Sequence, residues 1–277
     1  MLLDSHQHFW RYDPAEYPWM TEPLARIRHD FLPPDLEREA RPLGVNGSIA
    51  IQARQSLDET QWLLELADKH PSIKGVVGWV DLRSTRLEDQ LAKFQNHPRF
   101  VGVRHVVQDE PDDRFMLGEP FQRGIRQLEP FALTYDLLIF PRQLPAAIQL
   151  AERFPNQPFV LDHIAKPAIK SCELKVWSTQ IQELARRPNV WCKVSGLVTE
   201  ATWGGWRQND FRPYLDLVFE HFGEDRLMFG SDWPVCLLSA SYQEVFGIVF
   251  EWLRQAPEST RHKIFGANAA KFYRVKN

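Results

Sequence analysis

The chain has 277 residues, of which 44% are hydrophobic and 25% are charged, an ordinary composition for a folded globular protein. Its formal net charge of −3 at pH 7 argues against a nucleic-acid partner and against binding to an anionic membrane surface. The sequence contains no apolar run of about 18 residues and no basic, apolar leader, so we expect neither a membrane span nor secretion.

Eight short β-rich runs recur along the chain, with helical patterns between them. The predicted strands cover residues 2–6, 45–53, 73–82, 100–107, 131–139, 158–165, 190–196 and 226–232. Strands that alternate with helices in this number indicate an α/β fold of the (β/α)8 TIM-barrel type, and we expect one domain over residues 1–277. The rival fold is an open doubly wound sheet, but the segment DSHQHFW lacks the glycine-rich phosphate turn usual after its first strand.

Helix boundaries and loops can also be predicted. Ser56 with Glu59, and Thr85 with Glu88, have the spacing of capping boxes at two helix starts, and Gly223 predicts a helix end. The segment 9–32 is rich in aromatic residues and proline, which favours a long loop on the catalytic face of a barrel. The final segment RHKIFGANAAKFYRV predicts an extra C-terminal helix packed on the outside.

Candidate ligands of a metal ion lie at the ends of three predicted strands. In a (β/α)8 barrel the active site lies at the carboxyl ends of the strands. His6 and His8 are two residues apart, so their side chains share one face of the first strand, while His163 and Asp232 end the sixth and eighth. Three imidazoles and a carboxylate suit zinc and similar divalent ions. A single strand-end histidine is more often structural, but the joint occurrence favours a metal or proton-transfer site.

Asp232 and Arg104 have predicted catalytic roles. Asp232 is the best candidate for a general base that takes a proton from an attacking water, although it could instead cap the next helix. Arg104 and His105 on the fourth strand face opposite ways, and we expect Arg104 to point inward, where its guanidinium can bind a carbonyl oxygen or a carboxylate.

Contacts to a small organic ligand are predicted from loops and strand ends. Trp10 and Trp203 fall in predicted loops and can form the walls of a pocket, or can simply cover the barrel ends. Lys166 precedes a proline and can reach a bound oxyanion, with a solvated surface position as the alternative. Gln52 and His105 complete the predicted substrate-binding set.

Four motifs together resemble the amidohydrolase superfamily. They are DSHQHFW, GVRH, LDHIAKP and FGSDWP, and they follow in the order of that superfamily, with IFGANAAKFY similar to its usual C-terminal helix. The most similar branch is the metal-dependent hydrolases that include sugar-acid lactonases. Within it, GVRHVVQDEPD and KVSGLVTEATW look most like the L-fucono-1,5-lactonase type.

The resemblance implies a site as well as a fold. It assigns His6, His8, His163 and Asp232 as metal ligands. We expect Asp232 and His163 to be catalytic together with Arg104, whose role follows from its place on the fourth strand. The fourth strand has no lysine or glutamate that could bridge two ions, so a single divalent ion is expected, with zinc the first candidate. Some relatives in the branch open lactones without a metal, so the ion could also be dispensable.

The resemblance also implies the reaction. We expect a carboxylic ester hydrolase that opens L-fucono-1,5-lactone or a related aldonolactone, in carbohydrate metabolism and L-fucose degradation in particular. The alternatives are a decarboxylase of an unsaturated acid on the same scaffold and a ligand-binding barrel without catalysis. Three cysteines without CxxC spacing predict reduced thiols and a cytoplasmic location, and the sequence leaves open a homo-oligomer.

Overall fold

The computed structural model describes residues 1–275, in which eight parallel strands form one sheet in chain order. The strands are β1 (Leu2–Gln7), β2 (Val45–Ile51), β3 (Ile73–Gly78), β4 (Phe100–His105), β5 (Thr134–Leu137), β6 (Phe159–Leu161), β7 (Val190–Val194) and β8 (Leu227–Phe229). The segment after β8 returns to β1, where Asp232 N donates to His6 O at 2.8 Å and His8 N donates to Trp233 O at 2.7 Å. These bonds bring the two outer strands together, so the sheet is a nearly closed barrel and the fold prediction is confirmed.

Helices surround this sheet. Their bounds are α1 (Pro33–Ala40), α2 (Leu57–Lys69), α3 (Leu87–Phe94), α4 (Glu119–Arg126), α5 (Leu144–Arg153), α6 (Lys175–Ala185), α7 (Leu197–Glu200), α8 (Gln208–Phe222), α9 (Tyr242–Trp252), α10 (Glu258–His262) and α11 (Asn268–Phe272). Apolar residues at helical spacing face the strands, as with Trp177, Ile181 and Leu184 of α6. Within residues 1–275, no helix combines the length and the apolar character needed to cross a bilayer.

The predicted capping box of α2 is half correct. Ser56 caps the helix, because its hydroxyl accepts from the backbone N–H groups of Asp58 and Glu59. A capping box also requires the Glu59 carboxylate to accept a hydrogen bond from the backbone N–H of Ser56. Instead, this carboxylate accepts from the N–H groups of Ala53 and Arg54, just after β2. Glu59 is fully buried there, and burial raises its pKa to about 7.

Of the other two predicted helix boundaries, one is wrong and one is confirmed. Thr85 does not cap α3, because the helix begins one residue later, after Arg86, whose N–H is bonded to the hydroxyl of Ser84. Gly223 ends α8 as expected: its φ of 69° is left-handed, and its N–H donates to Phe219 O.

The C-terminal segment is not on the outside of the barrel. It forms α10, a π-helical turn (Lys263–Ala267) and α11, which together lie across the amino-terminal mouth of the barrel. Phe272 and Tyr273 pack with inward-facing residues at the amino ends of the strands, including Leu3 and Val160. The Tyr273 hydroxyl reaches inside and donates to Asp136 Oδ2 at 2.8 Å. The apolar pattern predicted a helix, but only the assembled barrel shows which surface that helix covers.

Candidate active site

Four predicted residues converge at the carboxyl ends of the strands. His6 Nε2 and His8 Nε2 lie 3.2 Å apart at the end of β1. Asp232 Oδ1, just after β8, lies 3.7 Å from His6 Nε2, 3.5 Å from His8 Nε2 and 3.8 Å from the Nε2 atom of His163, which follows β6. All four residues are buried. The Asp232 carboxylate therefore faces the three imidazoles rather than a helix start.

The second nitrogen of two of these imidazoles is also bonded. His8 Nδ1 lies 2.9 Å from the carbonyl oxygen of Ile51, which can only accept, so Nδ1 carries the proton and Nε2 keeps its lone pair. His163 Nδ1 lies 2.8 Å from the hydroxyl of Ser195. Such outer partners fix the ring orientation of histidines that bind metal ions.

His6 contacts a buried network of charged side chains. Its Nδ1 lies 3.1 Å from Lys193 Nζ and 3.4 Å from Asp162 Oδ1. Lys193 Nζ in turn lies 2.5 Å from Asp136 Oδ2 and 3.0 Å from Asp162 Oδ1, and Arg104 Nη1 donates to Asp162 Oδ2 at 3.0 Å. Burial raises the pKa of Asp162, but three neighbours outweigh burial. The charge of Lys193, the contact of Asp162 with His6 and the charge of Arg104 hold that pKa well below its usual value.

The protonation states suit a cation. Burial lowers the pKa of His6 and His8, and lowers that of His163 to about 4, so the three imidazoles are neutral near pH 7. Burial raises the pKa of Asp232, but the Coulombic effect of His163 and the contact with His8 outweigh it and leave that carboxyl ionised. Neutral imidazoles and an ionised carboxylate are the forms that bind divalent metals.

The spacing of the donor atoms also fits one divalent ion. The ligand atoms of His6, His8 and Asp232 all lie within 4.8 Å of one another. A tetrahedral zinc site with bonds of about 2.1 Å has edges of about 3.4 Å, close to the 3.2–3.8 Å separations in this cluster. Asp162 could complete a second group with His6 and His163, but its carboxylate is already neutralised by Arg104 and Lys193.

A strained turn after β6 places His163 and Lys166. Four consecutive residues have left-handed φ values: His163 (55°), Ile164 (48°), Ala165 (62°) and Lys166 (48°). Each such residue costs about 1–2 kcal/mol, so the surrounding packing must hold the turn. Ile164 and Ala165 are fully buried, and the indole N–H of Trp177 donates to Ile164 O at 2.8 Å. The first and last residues of the turn, His163 and Lys166, both line the cavity described next.

A cavity of about 900 Å³ opens above the cluster, which is ample for a small organic molecule. Its lining includes four polar residues that lie together at one end, His8, Arg104, His163 and Asp232. Part of the wall comes from the predicted loop 9–32, which is irregular apart from a short 3-10 helix at Glu22–Ile27. Trp10, Lys166 and Trp203 line the cavity as expected; Trp10 is fully buried in this wall, and its indole N–H donates to His29 O.

The structure corrects two predicted substrate contacts, because Gln52 and His105 do not line the cavity. Gln52 is fully buried and holds Arg104, whose Nε donates to Gln52 Oε1 at 2.8 Å. His105 points away from Arg104, as strand alternation requires, and lies outside the sheet. There it stacks on Phe115 at 5.0 Å, and its Nε2 lies 2.6 Å from Glu110 Oε1.

Sequence reasoning gave no role to several residues that complete the site. Asp136, Asp162 and Lys193 form the network under His6, and Glu200 lines the cavity wall. One signal was available for Lys193: a lysine inside the apolar run VWCKV must be buried, and a buried lysine is normally paired. Asp136, inside the apolar run FALTYDLLIF, has the same signal, but the sequence does not show that Asp136 and Asp162 are the groups that pair with Lys193.

Comparison with known proteins gives a consistent family. A protein-family model described as amidohydrolase matches residues 3–275. The L-fucono-1,5-lactonase of Burkholderia multivorans is 43% identical over 284 residues, covering 99% of this chain and 96% of that protein. The L-fucono-1,5-lactonase of Burkholderia ambifaria is 36% identical and covers 99% and 95%. A crystal structure of an amidohydrolase from Burkholderia multivorans with bound zinc has a TM-score of 0.96 at 42% identity, with both chains fully covered. The chain therefore belongs to the amidohydrolase family.

Proposed function

We propose that this protein hydrolyses the lactone of a six-carbon sugar acid, with L-fucono-1,5-lactone as the first candidate substrate. The observation that carries the proposal is the Asp232 carboxylate facing three neutral imidazoles at one end of a cavity of about 900 Å³. Two relatives named L-fucono-1,5-lactonase, similar over nearly the whole chain, support the substrate class. They support a decarboxylase or a non-catalytic barrel less well.

A divalent ion fits this proposal, and His6, His8, His163 and Asp232 would hold it. Zinc is the first candidate because a structure of a 42% identical amidohydrolase contains it. Such an ion supplies Lewis-acid chemistry: it polarises the lactone carbonyl and lowers the pKa of water toward about 7.

Asp232 is the proposed general base. Its ionised carboxylate accepts a proton from the attacking water while the water oxygen bonds to the lactone carbonyl carbon. The carbonyl π electrons move to oxygen, and the ring C–O bond breaks as the tetrahedral centre collapses. Asp232 then returns its proton to the departing ring oxygen, which becomes a hydroxyl. The new carboxylic acid ionises, so each turnover releases one proton.

Arg104 is the proposed electrostatic partner of the oxyanion. Three of its N–H donors are directed to Gln52 Oε1, Gln52 O and Asp162 Oδ2, which fixes the guanidinium at the polar end of the cavity. A preorganised charge beside the developing oxyanion stabilises it without reorganisation during the reaction. Trp203 is exposed at the cavity and offers an apolar face for the C–H side of a sugar ring.

A panel of lactones with and without a chelator tests the proposal. We expect release of one proton per L-fucono-1,5-lactone or related aldonolactone opened, followed with a pH indicator. Treatment with a chelator should remove most of the turnover, and Zn²⁺ should restore it. Retained turnover in chelator would contradict only the metal requirement. Release of CO₂ from an unsaturated acid, with no lactone opened, would favour the decarboxylase instead.

The glycine beside His163 gives a second test. Gly196 has a φ of +65°, and a Cβ there would lie 2.6 Å from His163 Nδ1. Gly196→Ala should therefore displace the His163 ring from its position beside Asp232 and lower kcat/KM by about 100-fold, the usual scale for a misplacement near 1 Å.

Gly204→Ala is the matched control. Gly204 has a φ of +68°, so alanine is strained to the same degree there, but nothing lies within 4 Å of the added Cβ. Backbone strain should cost each variant about 1–2 kcal/mol in thermal unfolding, and the contact with His163 should add a further loss in Gly196→Ala. Only Gly196→Ala should lose most of its turnover. Equal kinetic losses would mean that the His163 ring is not the cause.

We further propose that the protein works in the cytoplasm. Its three cysteines, Cys172, Cys192 and Cys236, are all free, which suits a reducing compartment.

A further inference from the structure

Two charged side chains on the cavity wall are not used by the proposed reaction. Lys166 ends the left-handed turn after β6, and Glu200 ends α7, the short helix after β7. Both line the same cavity as Asp232, together with Thr199 and Trp203. They are therefore placed to contact the part of a bound molecule that lies beyond the reacting carbonyl.

Neither charged group has a hydrogen-bonding or ion-pair partner in the described part of the chain. Over residues 1–275, the Glu200 carboxylate and Lys166 Nζ form no hydrogen bond and no ion pair with another side chain. The two groups interact through space, because the Lys166 charge lowers the pKa of Glu200, although burial is the larger effect and raises it. Other charged groups at the cavity do form ion pairs, as Arg54 does with Glu16 and Arg104 with Asp162. Both residues are partly buried and line the cavity, so the carboxylate and the ammonium are available to bond to a ligand there.

The chemistry of this wall suits a neutral polyol. A carboxylate accepts hydrogen bonds from hydroxyl groups, and an ammonium donates to hydroxyl oxygens. Lys166 Nζ lies 5.5 Å from the centre of the Phe140 ring, a cation–π contact that holds the ammonium beside the cavity. Trp203 is fixed through its indole N–H, which donates to Thr199 O, so its ring supplies an adjacent apolar face. The positive charge of Lys166 and the negative charge of Glu200 cancel, so this part of the cavity wall has no net charge. Such a wall suits an uncharged sugar lactone better than a dianionic one.

We propose that Lys166 and Glu200 bind hydroxyl groups of the substrate away from its carbonyl and thereby select polyhydroxylated lactones over unsubstituted ones. This inference rests on the proposed lactonase function. It makes Glu200 a specificity-determining residue, with no part in the bond-breaking steps. Sites that bond to a substrate hydroxyl reject the analogue that lacks it, because their buried polar groups are then left unpaired.

Comparison of two substrates on matched variants tests this inference. The substrates are L-fucono-1,5-lactone and δ-valerolactone, which has the same ring size and no hydroxyl groups. Glu200→Gln and Lys166→Met should each lower the ratio of kcat/KM for the hydroxylated over the plain lactone by about tenfold or more, mainly through KM. Glu16→Gln makes the same chemical change at a cavity carboxylate already paired with Arg54, and it should leave the ratio within about twofold.

The outcomes separate this inference from the proposed function. An unchanged ratio in Glu200→Gln and Lys166→Met overturns the inference. Equal losses with both lactones in Glu200→Gln also overturn it, since they would place Glu200 in proton transfer to the departing oxygen. If the unmodified protein opens no lactone, the proposed function fails. In that case, calorimetry with the ring-opened acids L-fuconate and 5-hydroxypentanoate tests hydroxyl binding by Lys166 and Glu200 without turnover. Equal dissociation constants for the two acids would contradict the inference.

Discussion

Replacing Asp232 with asparagine is expected to lower kcat/KM for lactone hydrolysis by at least about 10³-fold. Asparagine keeps the size of the side chain but cannot take a proton from water, and its neutral oxygen is a weaker metal ligand than a carboxylate. Asp232 Oδ1 lies within 3.8 Å of all three imidazoles, so the change removes the shared negative charge of the whole cluster. Steady-state kinetics with a pH indicator measure the loss.

The control for this variant is Asp109→Asn. Asp109 also lines the cavity, but it is exposed and does not belong to the histidine cluster. Asp109→Asn should therefore lower kcat/KM by no more than a few-fold. Metal content measured on the same samples separates loss of the ion from loss of the base. Near-normal turnover in Asp232→Asn, with the fold intact by circular dichroism, would rule out Asp232 as the general base.

Replacing Lys193 with methionine is expected to lower the free energy of unfolding by about 3–5 kcal/mol, the usual cost of removing one partner from a buried ion pair. Lys193 is fully buried, and its Nζ lies between Asp136 Oδ2 at 2.5 Å and Asp162 Oδ1 at 3.0 Å. Without the ammonium, Asp136 loses its ion pair and Asp162 keeps only the one with Arg104. Urea denaturation measures the change.

A second substitution distinguishes a lost ion pair from poor packing. In the double variant Lys193→Met with Asp136→Asn, one uncompensated charge is gone, so part of the stability should return. Lys170→Met is the control, because it makes the same lysine-to-methionine change at an exposed position. It should change the free energy of unfolding by less than about 0.5 kcal/mol. If the double variant is less stable than Lys193→Met by the full cost of Asp136→Asn alone, the two residues are not coupled.

The Lys193 network also connects the end of the chain to the site. Tyr273, which lies at the opposite mouth of the barrel, donates to Asp136 Oδ2, and Lys193 Nζ bridges Asp136 to His6 Nδ1. A chain of polar contacts thus runs through the barrel between its two mouths, beside apolar residues such as Val160, and the C-terminal segment covers the amino-terminal mouth. The orientation of His6 depends on contacts that no single strand contains.

The sequence by itself determined the barrel and the cluster. Strand and helix periodicity are local properties, so eight strands could be counted directly, and each predicted run overlaps one observed strand. Because parallel strands of a barrel end at one mouth, residues at strand ends meet there, which is why His6, His8, His163 and Asp232 converge as expected. Arg104 points inward for the related reason that a strand alternates its faces.

Only the tertiary structure decided which polar groups bond to one another. Gln52 lies near a strand end like the ligands do, yet it holds Arg104 instead of lining the cavity, and Glu59 supports β2 instead of completing a cap. The left-handed turn at His163–Lys166 contradicts local preference and is held by packing against distant residues such as Trp177. The pairing of Lys193 and the covering position of the C-terminal segment likewise depend on residues far apart in the chain. Local patterns follow from the periodicity of each segment, whereas these contacts form only when the closed sheet brings separate strands within bonding distance.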